Sequence, residues 1–329
     1  MYETVYDANT LFITYTTYAE DMTADETELP RGIALAWGVA ANPQRGPKRE
    51  MSVERIVETA VALADADGIG AVSMAAVAAK LGFTPMSLYR YVSAKDDLLL
   101  LMQEQATGLP PEAHRDHDTW QAKMTALFEA QVLVYLEHPW ILSLPITGAP
   151  ITPSSSAWLD AALAVLEGTP LSDTERLATA LSVMGQSRWY GIVLAGYAEQ
   201  ARLTGLSPED VSAREAALFD RVITDEEFPA LRHAIDAGVF TDEGDPFRFG
   251  LQRILDGVAT YIDRRENGEP AEAEAAWVEG EAEQVLADKR VRESRKAVRD
   301  AEKALRTARK EERVALRDAR ARVTRDAPK

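Results

Sequence analysis

The sequence has no cysteine among its 329 residues and only four histidines. Without a thiol there is no disulfide, no thiolate metal site and no cysteine nucleophile, which fits a reducing compartment. His114 and His117 stand close together, but no carboxylate cluster accompanies them, so they are read as loop histidines bonded to water; no metal and no cofactor are expected. Also missing are a G-x-S-x-G turn, a helix with paired histidines and a phosphate-cradling glycine loop, so no enzyme is expected. No apolar run approaches the roughly 20 residues that a membrane span needs. The first residues lack the basic start, apolar core and small-residue cleavage site of a secretory signal. These absences predict a cytoplasmic protein without a membrane partner.

What is present is acidic on average and uneven in detail. The net charge of −17 argues at first against a polyanionic partner. From Lys289 to Lys329, however, sixteen basic residues face seven acidic ones, a net of +9 that leaves −26 on residues 1–288. Within that acidic remainder, Arg45 to Lys95 carries seven basic against five acidic residues. A mildly basic patch on an acidic body favours a single docking orientation on a polyanion.

Residues 1–30 read as a poorly ordered tail, with TLFITYTTY as its one strand-like run. Residues 31–50 read as a basic arm: GIALAWGVA, then NPQRGPKR, where Pro, Gly and the cations Arg45, Lys48 and Arg49 exclude regular structure. The arm is either a solvated linker or a contact. From 51 to 97 the pattern is that of a helix-turn-helix head. Ser52 caps a helix with apolar residues at helical spacing from Val53 to Ala64, stopped by Gly68. In SMAAVAAKLGFTPMSLYRYVSAK, Val77 and Leu81 sit one turn apart. Ala78 lies where a second helix passes too closely for a larger side chain, and Gly82 ends the helix. Thr84 stands at an N-cap and Pro85 at the first helical position, and Leu88 with Tyr91 or Val92 returns to the core. Pro85, Met86, Ser87, Tyr89 and Arg90 are left to face a major groove. Asp96 and Asp97 then open a further helix whose first amides suit a phosphate.

Residues 98–265 form a larger helical domain, with helices at about 117–137, 154–167, 172–203, 208–222, 226–237 and 246–264 and breaks at Pro- and Gly-containing turns. Its aromatic residues can build a core or line an apolar cavity. Trp120, Phe128, Trp140, Trp158, Trp189 and Tyr190 are the candidate ligand contacts. Residues 271–329 are almost all Ala, Glu, Arg, Lys and Leu and predict one long charged helix. Val291, Val298 and Leu305 recur at seven, with small residues at the matching offset, until Glu312 interrupts. A solvated helix, a coiled coil and an extra DNA contact all remain open for this tail.

The run from Ser52 to Met102, above all SLYRYVSAKDDLLLLM after AAVAAKLGF, resembles the amino-terminal domain of the TetR/AcrR family of transcriptional regulators. PRGIALAWG with RGPK resembles an actinobacterial subgroup, and FRFGLQRILDGVATYI resembles the last helix of the tetracycline-repressor type of carboxy-terminal domain. The resemblance covers about residues 31–265. It implies an all-α homodimer that presents two recognition helices to a palindromic double-stranded DNA operator and is released when a small apolar effector binds the larger domain. Carried over by position, Ser73, Tyr91 and Lys95 would hold phosphates, Thr84 to Ser87 and Tyr89 would face bases and backbone, and Arg90 would read a base. Ala75 and Ala76 depart from the family, which often has arginine there; Arg45, Lys48 and Arg49 would compensate from the minor groove. The dimer interface would come from segments near 172–200 and 247–263, packed as a four-helix bundle. The alternative class is an all-α scaffolding or assembly protein that uses its charged carboxy-terminal helix.

Overall fold

The computed structural model describes residues 29–40, 51–146, 151–240, 244–271 and 283–326. The strand-like run and acidic stretch before residue 29, and Arg45, Lys48 and Arg49, lie outside the described residues. In chain order the helices are α1 (Arg31–Ala36), α2 (Val53–Asp67), α3 (Met74–Leu81), α4 (Pro85–Leu88), α5 (Lys95–Thr107), α6 (Trp120–Glu137), α7 (Pro153–Val165), α8 (Asp173–Thr204), α9 (Pro208–Val222), α10 (Pro229–Asp236), α11 (Pro246–Glu266), α12 (Glu283–Ala287) and α13 (Lys289–Asp326). Short 3-10 turns occupy Ile69–Ala71, Glu112–Asp116 and Pro139–Ser143, and no strand occurs among the described residues. No described helix is long and apolar enough to cross a membrane. The chain divides into two compact units, Asp25–Ala271 and a second comprising Met1–Ala24 with Glu272–Lys329.

Local chemistry sets the head. Ser52 Oγ accepts from the Arg55 amide at 3.3 Å and starts α2, and Ser73 Oγ accepts from the Ala76 amide at 3.1 Å and starts α3. Gly82, with φ of 77°, ends α3 in the left-handed region, where a side chain would be strained. The Phe83 amide then reaches back to the Ala78 carbonyl at 2.9 Å, and the chain turns into α4. Thr84 precedes α4 as the spacing predicts, but its hydroxyl lies 3.0 Å from Ser87 Oγ and makes no cap bond to an amide. Ile56, Ala60, Val77, Ala78, Leu88 and Val92 are fully buried between α2, α3 and α4. Val92 is thus the returning core residue, and Tyr91 is half-buried.

Two boundaries differ from the sequence reading. The head was expected to end at 97, yet its core continues into Leu98, Leu101 and Met102 of α5 and takes in Tyr135, Trp140 and Ile141. Apolar residues on α5 thereby join the head to the larger domain in one core. The arm expected over 31–50 begins instead with α1, whose Leu35 and Ala36 pack on that core. There a Cβ added to Gly32 would sit 2.7 Å from Asp97 Oδ1, and Trp37 Nε1 donates to the Ile151 carbonyl at 2.7 Å. Burying the apolar run outweighs leaving it in a solvated arm.

A second core gathers Met124, Leu127 and Phe128 of α6, Trp158 of α7, Val183 of α8 and Leu251 and Leu255 of α11. At Gly191 a Cβ would come within 2.8 Å of the Tyr135 ring, so α8 lies tightly on α6. In the second unit, the single helix expected from 271 is interrupted at Asp288. Its Oδ1 accepts from the amides of Arg290 at 2.8 Å and Val291 at 3.1 Å and so caps α13 afresh.

Ala78→Leu is predicted to cost about 1–3 kcal/mol in urea denaturation by overpacking the α3–α4 crossing, whereas Ala79→Leu, on the exposed face, should change stability by less than about 0.5 kcal/mol. Equal effects would mean that the crossing is not close-packed.

Candidate functional site

The face opposite the head's core is presented by one helical turn. α4 spans only Pro85–Leu88, and Tyr89 to Tyr91 continue as a turn, closed by the Tyr91 amide to the Leu88 carbonyl at 2.8 Å. Tyr89 and Arg90 therefore project from the turn rather than from the second helix on which the sequence placed them. Thr84, Pro85, Met86, Tyr89 and Arg90 are exposed, Met86 to 72%, while Ser87 and Tyr91 are half-buried. Ser73 is exposed at the start of α3; its oxygen serves as a helix cap and its hydroxyl proton is still able to donate. Lys95 is the exposed first residue of α5, whose opening amides receive no side-chain cap. An anion at that helix start meets free N–H groups and the positive end of the helix dipole.

The face is tied to the larger domain on two sides. Asp65 Oδ1, on α2, accepts from Trp140 Nε1 at 2.7 Å and lies 2.8 Å from His138 Nδ1, both at the turn after α6. The far end of that turn is held by Arg188 of α8, whose Nη2 donates to the carbonyls of Leu142 at 3.2 Å and Leu144 at 3.0 Å. On the other side, Glu104 of α5 accepts from the Ser154 amide at 2.8 Å and hydroxyl at 2.7 Å, and Trp158 Nε1 donates to the Gly108 carbonyl at 3.0 Å. Bonds to a charged partner are short and directional, and these connect α7 to α5 and, through the Pro139–Ser143 turn, α8 to α2.

The six aromatic candidates do not converge on one cavity. Phe128 and Tyr190 stack with centroids 6.1 Å apart, and Phe247 extends the stack at 4.6 Å from Tyr190. Tyr190 donates to Asp245 Oδ2 at 2.7 Å while Asp245 Oδ1 caps α11. Burial first, and then this bond to a carboxylate, pushes the Tyr190 phenol up to about 12. Trp158 is buried in the second core and Trp120 packs against it. Trp140 is buried in the joint to Asp65 and lines a cleft of about 800 Å³ between the end of α2, the Pro139–Ser143 turn and α8. Trp189 is 56% exposed on the outer side of α8. Phe247 and Asp245 are not among the candidate ligand contacts of the sequence, although the break at Asp245-Pro246 is legible there as a helix start. His114, expected in solvent, is buried with its Nδ1 2.7 Å from the Pro111 carbonyl. Among the described residues no group of His, Asp and Glu is placed to hold a metal ion.

At the start of α8, Glu175 closes a capping box with Ser172 and accepts from the Tyr261 hydroxyl of α11 at 2.6 Å. The Tyr261 bond, followed by the Ser172 amide, holds the Glu175 carboxyl below its ordinary range. A carboxyl depressed in the folded state stabilises above its unfolded value, about 4.3, and that contribution is lost as pH falls through the folded value. The melting-temperature gap between the wild type and Tyr261→Phe should therefore be widest near neutrality and narrow as pH falls to about 3. A constant gap would contradict the assignment.

The same regions are found in known proteins. Residues 56–102 match the model of bacterial regulatory proteins of the tetR family, and residues 111–262 match that of the tetracyclin repressor-like C-terminal domain. The chain is 31% identical over 251 residues to the HTH-type transcriptional repressor DrrR1 of Streptomyces coeruleorubidus, covering 76% of this chain and 92% of that protein. It is similar in fold to apo ActR from Streptomyces coelicolor, with a TM-score of 0.53, 20% identity and coverage of 66% of this chain and 99% of that one. ActR in complex with actinorhodin gives 0.51, at 21% identity, covering 67% and 99%.

Proposed function

The chain belongs to the TetR family of bacterial transcriptional regulators, and from that premise we propose that it is a cytoplasmic, effector-responsive repressor acting as a homodimer on a palindromic operator. The observation that carries this reading is the exposed polar turn from Thr84 to Arg90 on a head that shares its core with the larger domain. The turn enters the major groove. Arg90 takes a guanine edge in a bidentate grip, and Thr84, Pro85, Met86, Ser87 and Tyr89 contact neighbouring bases and backbone. Ser73, Tyr91, Lys95 and the first amides of α5 hold phosphates and fix the register. Arg45, Lys48 and Arg49 supply the minor-groove contacts that Ala75 and Ala76 do not.

Dimerisation is assigned to the outer face of α8 with α11. Leu177, Leu181, Trp189 and Ile192 are exposed there at helical spacing, and the Cβ positions of Gly185 and Gly196 in the same stripe are open. Phe249 of α11 is exposed as well. Such a face is costly in water and is covered when the same face of a second subunit packs on it. Trp189 then serves this contact rather than the effector.

A small apolar effector is assigned to the larger domain beside the Phe128, Tyr190 and Phe247 stack, where aromatic faces give area and the Tyr190 and Asp245 pair gives orientation. In ActR this fold was solved with actinorhodin bound. Effector binding displaces α7 and α8. Through Ser154 to Glu104 and through Arg188, Trp140 and Asp65, the shift changes the spacing of the two heads. No reaction is required.

In a gel-shift titration against the chain's own upstream DNA, sequence-selective binding is expected at low salt, and its absence would sink the reading. Arg90→Ala should weaken operator binding by about 1–3 kcal/mol, roughly 5- to 150-fold, and relax preference at a single base position. Leu181→Glu should yield a folded monomer in sedimentation velocity with operator affinity lost; a dimer that persists would move the interface elsewhere.

A further inference from the structure

The second unit carries a regular line of charge. From Lys289, a seven-residue repeat places lysine four times through Lys310. A second repeat three residues on, from Arg292, places arginine four times through Arg313. The two interleave at spacings of three and four, so eight cations form one stripe along α13, and all eight are exposed. At about 1.5 Å per residue the stripe is about 36 Å long. No acidic residue occupies any position in it, and the sequence register continues through Arg317 and Arg320. Glu293, Asp300 and Glu302 flank the stripe at spacings of three and four from its cations, but basic residues outnumber acidic ones along the helix, and a pair such as Lys289 to Glu293 at 3.9 Å is exposed and contributes little.

We propose that this stripe is a sequence-independent contact for the phosphate backbone of duplex DNA. The inference rests on the reading of the head as a DNA-binding element. α13 lies outside both matched family segments, so the head and larger domain do not account for it. A polyanion with about one charge per 1.7 Å of axis is the regular partner that a regular row of cations fits. The far face of the helix is poor at other tasks. Val298 and Leu305 are half exposed between Ser294, Ala301 and Ala308, and Glu312 follows, so the seam has no continuous apolar layer for a second copy. The helix also has no Trp or Phe and, beyond its valines, only Leu305 and Leu316 as large apolar residues, too little to seat an amphipathic helix in a bilayer. Since α13 shares a chain with the head, operator binding raises the local concentration of DNA around it.

The test uses the full-length chain and a variant with Arg299, Lys303, Arg306, Lys310 and Arg313 changed to Gln, a residue of similar helix propensity. Binding to an operator duplex and to a scrambled duplex of equal length is measured across a KCl series, with circular dichroism confirming unchanged helicity. Loss of five phosphate contacts per subunit should flatten the slope of log K against log salt by about 4.5 units for each engaged tail, about nine for the dimer, on both duplexes. The operator-to-scrambled ratio should stay constant. A companion variant with lysine at the three arginine positions should keep the wild-type slope. A Gln variant whose slope stays within one unit of wild type overturns the proposal. So does a Gln variant that changes slope only because its dimer dissociates in sedimentation velocity, or a lysine variant that loses slope as the Gln variant does. A wild type that shows no operator preference overturns the reading of the head instead, while the salt slopes still report on the stripe.

Discussion

The close crossing of α3 and α4 at Ala78 is the contact on which the exposed face depends. Because Ala78 is fully buried and Gly82 turns the chain within one residue, α4 needs only a single turn to present Thr84 to Arg90. The inner side of that turn, Leu88 and Val92, is anchored in the same core as Ile56 and Ala60. As the proposed reading surface, so few residues would work only if their backbone did not move, and close packing lies beneath them.

In the proposed mechanism the same core would carry regulation to the surface. Leu98, Leu101 and Met102 bring α5 into the head, while Glu104 and Gly108, a turn or two further, are bonded to α7. A helix fixed in two bodies passes displacement between them. The Asp65, Trp140 and His138 joint gives a second connection from α8 to α2, and in the proposed mechanism unequal movement of the two connections would tilt the head. Charge is distributed to the same end. An acidic body repels DNA, a mildly basic head accepts it, and α13 concentrates cations in a separate unit.

Much of this was legible in the sequence, because helix starts and stops are local. Ser52, Ser73, Gly82, Pro85 and Asp245-Pro246 each act on their own or neighbouring amides, so residue type and order suffice to read them. What escaped depends on distant partners. Nothing near Asp65 announces Trp140, 75 residues away, and nothing near Glu104 announces Ser154. Trp189 and Trp158 look alike as apolar residues at helical spacing, and only the tertiary packing, of α8 on α6 for the first and of α7 into the second core for the other, turns one outward and the other in. The apolar run before the basic residues was read as an arm because α5, the surface that buries it, lies some 60 residues further on.

The central claim is that two heads, held by one dimer, read successive major grooves. A hydroxyl-radical footprint of the full-length protein on its upstream DNA tests this most directly. The account predicts two symmetric protected segments with centres about 10 base pairs apart or a multiple of that, one for each head. Uniform protection that ignores sequence, or a single unpaired segment, would contradict it.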